Sequence, residues 1–62
     1  MQKEIFHSEN YYPTDLDLAK ALTLAKRKHC VVEIDCKYCI VQVDESMTLE
    51  SGRQQVESII YS

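Results

Sequence analysis

A single glycine and a single proline among 62 residues leave few points at which regular structure must break, so most of the chain is predicted to lie in helices and strands. Long apolar runs are absent too. The run Cys39 to Val41 is typical of those present, far short of the roughly 20 residues that a membrane-spanning helix needs. Residues Met1 to Pro13 have no basic start, no apolar stretch of signal length and no small-residue cleavage site, so no secretory signal is expected. Three cysteines, an odd count without an export signal, point to free thiols in a reducing compartment, and the expected location is cytoplasmic.

Catalytic signatures are equally sparse. The chain has no glycine-rich phosphate loop and no nucleophile motif, and a fold this small is expected to leave little room for a pocket of several hundred Å³. Carboxylates at Asp15, Asp17, Glu33, Asp35, Asp44 and Glu45 and histidines at His7 and His29 fall into no convincing partner set. The expectation is a protein that is not an enzyme.

What is present is the composition of a globular chain, 45% apolar and 27% charged with a net charge of −3. One domain over residues 1–62 is expected, with residues 1–12 as an N-terminal arm or an edge strand. A domain of this size buries only about 60% of the surface its unfolded chain exposes, and its core supplies about 3–5 kcal/mol. A homodimer would relieve that shortage.

Thr14 is placed to cap a helix over residues 14–28, with Asp15 and Asp17 in the first turn and Pro13 opposing an earlier start. Leu18, Ala21, Leu22 and Ala25 form an apolar stripe at helical spacing, which Leu16, Ala19 and Leu24 broaden. Lys26, Arg27, Lys28 and His29 suit the negative end of the helix dipole. The β-branched runs Val31, Val32, Ile34 and Ile40, Val41, Val43 predict a β-hairpin. A loop of Cys36 and Lys37, or of Asp35 to Tyr38, would set Ile34 opposite Cys39, Val32 opposite Val41 and Cys30 opposite Val43. After caps between Asp44 and Thr48, Leu49, Val56, Ile59 and Ile60 line one face of a second helix. Gly52 lies on that stripe, where it would admit close backbone approach to the sheet. Glu4 to His7 add a short strand, giving an α+β, two-layer domain of order (β)αββα with both helices on the apolar sheet face.

Two motifs carry chemistry if they are read sharply. His29-Cys30 and Cys36-Lys37-Tyr38-Cys39 offer four zinc ligands within eleven positions. The predicted register, however, separates Cys30 from Cys39 by about 13 Å, too far for one ion or for a disulfide. No cofactor or metal is therefore expected, although Cys36 at the hairpin tip is read as an exposed, oxidisable thiol. The basic stretch Lys26 to His29 beside a two-stranded ribbon is the pattern of a nucleic-acid binder, but Glu33, Asp35 and the net negative charge oppose phosphates. A zinc-binding or nucleic-acid-binding regulatory module stands as the alternative to the main reading, and no membrane partner is indicated.

That main reading is a protein-interaction surface on the outer hairpin face: Val31, Tyr38 and Ile40 as an apolar strip, with Glu33 and Asp35 at its rim, extended by Tyr11 and Tyr12. In size, acidity and lack of catalytic motifs the chain resembles the small stand-alone modulators that phages and mobile elements encode, inhibitors of host enzymes among them. The resemblance implies a protein partner.

Overall fold

The computed structural model describes residues 2–62. Five elements follow in the order β1 (Lys3–His7), α1 (Asp15–Lys28), β2 (Val31–Asp35), β3 (Ile40–Val43) and α2 (Leu49–Ile60). They build an α+β domain on a three-stranded mixed sheet of order β1-β2-β3. β1 runs parallel to β2, and a parallel pair needs a crossover of a dozen or more residues, which α1 supplies. β2 and β3 are the antiparallel hairpin.

Both helices start on reciprocal caps. Thr14 Oγ1 accepts the Asp17 N–H at 3.2 Å while Asp17 Oδ2 accepts the Thr14 N–H at 3.1 Å. Thr48 and Ser51 repeat the exchange at the start of α2. α1 ends at His29, which takes the left-handed conformation (φ 53) while its N–H donates to the Ala25 carbonyl.

α1 packs on β2 and β3, and α2 packs on α1 and β3. The core is one cluster, Leu18, Ala21, Leu22 and Ala25 of α1 against Val32, Ile34, Val41 and Val43 of the sheet, closed by Cys30, Cys36 and Val56. Three strands span about 10 Å at 4.8 Å spacing, too narrow to cover the broad helix face expected from the sequence. Leu16 is accordingly exposed, Ala19 faces solvent and Leu24 is half-buried. Ile59 and Ile60 at the end of α2 are exposed as well.

The hairpin pairs Val32 with Val43 and Ile34 with Val41, two positions from the register expected. Cys36 N–H donates to the Cys39 carbonyl at 3.0 Å, so the turn centres on Lys37-Tyr38. A shift of two keeps every side chain on its face, which is why alternation could not separate the two registers. The tip decides it: Lys37 N–H donates to the Asn10 carbonyl and Tyr38 N–H to the Tyr11 carbonyl, both at 3.1 Å. Cys30 is thereby moved still further from Cys39, roughly 20 Å at 3.3 Å per residue.

Gly52 is buried, but what approaches it is α1 and not the sheet. A Cβ at this position would lie 3.1 Å from Leu18 Cδ2. Glycine here lets the two helices close over Leu18, itself 1% exposed.

Candidate functional site

With both helices on one side, the other side of the sheet is uncovered. The parallel register places Lys3 beside Val31, Ile5 beside Glu33 and His7 beside Asp35, and the hairpin adds Gln42 beside Glu33 and Ile40 beside Asp35. Alternation then turns Lys3, Ile5, His7, Val31, Glu33, Asp35, Ile40 and Gln42 to this open face and Phe6 toward the core. Ile40 is 58% exposed and Ile5 51%. Val31, Glu33 and Asp35, on the central strand, are half-buried by their neighbours.

The charges on the face are paired within it. Lys3 Nζ lies 3.1 Å from Glu33 Oε1, and His7 Nδ1 lies 3.5 Å from Asp35 Oδ2. The apolar residues Ile5, Val31 and Ile40 have no such partners within the sheet.

An aromatic group lies at the hairpin end of the sheet. Tyr11 and Tyr38 are stacked, and Tyr12 meets Tyr38 edge-on with centroids 5.9 Å apart. Lys37 Nζ stands 5.7 Å from the Tyr11 ring centroid. Tyr38 and Tyr11 are exposed, whereas Tyr12 turns inward and packs against the core. The register sets Val31, Glu33, Asp35 and Ile40 on one side of the sheet, whereas Tyr38 lies in the hairpin turn and Tyr11 in the loop after β1, and Tyr12 packs against the core. Ile5 was missed by sequence reasoning, although the alternation of KEIFH carried the signal.

A buried carboxylate holds this end in place. Asp17 Oδ2 accepts the Ser8 hydroxyl at 2.8 Å, the Asn10 side-chain amide at 2.9 Å and the Thr14 N–H, and Ser8 N–H donates to the Asp35 carbonyl at 3.0 Å. Burial pushes the Asp17 carboxyl up, and these donors outweigh it, so that it sits below the ordinary carboxylate value. The loop from Ser8 to Thr14 is therefore fastened at both ends, to α1 and to β2.

The cysteines are placed differently from the reading that set Cys36 at an exposed tip. Cys36 is buried on the core face, with Cys39 half-buried across the turn, because the register shift moves the tip to Lys37-Tyr38. Burial raises both thiols, and the adjacent Cys39 raises Cys36 further, so both are neutral and weakly nucleophilic at neutral pH. Among the described residues no group of three His, Cys, Asp or Glu side chains converges as metal ligands.

Of the basic stretch closing α1, Lys28 pairs with Glu4 at 2.7 Å and His29 with Glu45 at 2.8 Å. An open groove of about 360 Å³ lies between β1 and α1, lined by Phe6, Ala19, Lys20, Thr23, Leu24 and Arg27. Little room was expected for a pocket of several hundred Å³, and this open groove reaches that size. Its polar lining is Lys20, Thr23 and Arg27.

No helix among the described residues is long and apolar enough to cross a membrane. Comparison with protein-family models, curated proteins and solved structures returned no match to this chain.

Proposed function

We propose that the chain is a non-catalytic protein-binding module that docks the open face of its sheet onto a larger protein and modulates it, as a small inhibitor does. The observation that carries this reading is the one-sided placement of the helices, which leaves Ile5 and Ile40 exposed on the sheet, with the exposed Tyr38 and Tyr11 stacked at its hairpin end. Exposed apolar side chains on both edge strands, with the carboxylates Glu33 and Asp35 between them, make a mixed surface of the kind that protein interfaces use. Tyrosines presented by a locked hairpin tip give large contact area at low entropic cost.

The complementary surface offers apolar contacts to Ile5 and Ile40 on either side of the central-strand carboxylates Glu33 and Asp35. Glu33 is already paired with Lys3, so affinity comes chiefly from the apolar side chains, while the net charge of −3 favours encounter with a positive partner.

The test uses Ile5→Glu and Tyr38→Asp, singly and together, with Lys20→Glu on α1 as control. All are at exposed positions and should keep the native circular dichroism spectrum. The reading requires that the protein co-purifying with the wild type from its native host be lost from the sheet variants and kept by the α1 variant. Retention by the folded double variant would refute it.

A further inference from the structure

The two edges of the sheet are not alike. β1 reads Lys-Glu-Ile-Phe-His, with Lys3 and Glu4 in ion pairs along it and the His7 ring 3.5 Å from the Asp35 carboxylate. Charge on an edge strand is the usual guard against pairing with another chain. β3 reads Ile-Val-Gln-Val and has no charge, no proline and no bulge. It is the unguarded edge.

The peptide groups that β3 offers can be named. In an antiparallel ladder, hydrogen-bonded and non-hydrogen-bonded pairs alternate. The bond from Cys36 N–H to the Cys39 carbonyl makes that pair, and with it Ile34–Val41 and Val32–Val43, the bonded set. Ile40 and Gln42 occupy the alternate positions, so their N–H and C=O groups point away from β2 to the open edge.

We propose that β3 pairs antiparallel with β3 of a second copy of this chain, extending the sheet to six strands. The pairing is self-complementary in one register, with the two-fold axis at Val41. Residues directly opposite each other share a face, and only an axis passing through a residue keeps the helices of both copies on one side. With the axis at Val41, Ile40 exchanges both hydrogen bonds with Gln42 of the second copy, and Gln42 with its Ile40. An axis at Gln42 would instead need Asp44, outside β3, whose carbonyl already accepts the Met47 N–H at 3.2 Å, and an axis at Ile40 would need Tyr38, whose N–H is already given to the Tyr11 carbonyl at 3.1 Å.

Charge selects the second copy as occupant, and the antiparallel sense with it. Lys37 stands at one end of β3, and Asp44 and Glu45 stand at the other. Antiparallel pairing brings each Lys37 toward the other copy's Asp44 and Glu45, twice per dimer, whereas parallel pairing would set Lys37 against itself. Pairing through the edge leaves the open face uncovered and doubles its extent, so it stands apart from the docking reading.

Sedimentation equilibrium from micromolar to millimolar concentration, with amide hydrogen exchange read residue by residue, tests this. The expected result is a mass rising from 7.2 kDa to twice that value, with the Ile40 and Gln42 amides becoming protected as the dimer forms. Gln42→Pro removes an outward N–H that β2 does not use and should leave a folded monomer. Lys37→Glu should weaken the dimer several-fold, and adding Glu45→Lys should restore it, a rescue that does not depend on how the proline variant folds. A monomer at millimolar concentration overturns the proposal. So does a dimer whose Ile40 and Gln42 amides stay unprotected, or strand addition by a foreign peptide alone. None of these outcomes bears on partner loss in Ile5→Glu and Tyr38→Asp, which reads the docking surface separately.

Discussion

The ring of Tyr11 stacks on that of Tyr38, with centroids 4.7 Å apart and planes inclined by 25°, while the Tyr38 N–H donates to the Tyr11 carbonyl. Two segments far apart in the chain are thereby joined at the end of the open face. Aromatic pairs contribute about 0.5–1.5 kcal/mol beyond their buried area. Tyr38→Ala is expected to destabilise the fold by about 1 kcal/mol and Tyr38→Phe by less, measured by urea unfolding.

Asp17 is the carboxylate on which the Ser8 to Thr14 loop depends, and hydrogen bonds to a charged acceptor are worth about 1.5–3 kcal/mol each at most. Asp17→Ala should cost about 2–3 kcal/mol overall. Its folded pKa lies below the ordinary 3.8, so in acid the unfolded state binds the proton first. The stabilisation is complete above the ordinary value and is lost as pH falls through the folded one. Asp17→Asn should flatten this part of the stability–pH curve; an unchanged slope would remove Asp17 from that role.

At Gly52, an added methyl group meets Leu18 at 3.1 Å, while alanine improves helix propensity by about 1 kcal/mol. The two effects oppose, and Gly52→Ala is expected to be close to neutral. Gly52→Leu must push α2 off α1, with a loss of about 1–3 kcal/mol. Thermal unfolding of the two variants side by side checks the closeness of the helices.

The thiols of Cys36 and Cys39 are raised above the ordinary 9.0, so at neutral pH both should alkylate far more slowly in the folded protein than in urea. As pH climbs past 9.0 the unfolded state ionises first, and this contribution to stability falls as pH rises through the folded values. Rapid labelling of Cys36 under native conditions would contradict its placement in the core.

The helices were legible because their signals are local. Thr14 and the Asp15–Asp17 turn announce α1, and the stripe Leu18, Ala21, Leu22, Ala25 is the buried face observed. The faces of the hairpin were legible too, since alternation survives a shift of two residues. The register was not, because it rests on a contact between the hairpin tip and the Asn10–Tyr11 backbone, distant in sequence. For the same reason Cys36 was read as exposed, and Ile5 was overlooked until the parallel pairing of β1 set it beside Glu33. Long-range pairing, and not composition, assembled the open face.

The most direct test of the docking surface is site-specific photo-cross-linking in the native host, with a photoreactive aromatic residue replacing Tyr38 or Ile5 in one set and Thr23 of α1 in another. Tyr38 and Ile5 are predicted to trap the same partner protein, and Thr23 to trap none of it. Capture of that protein from Thr23 but from neither sheet position would place the interface on the helices and contradict the account.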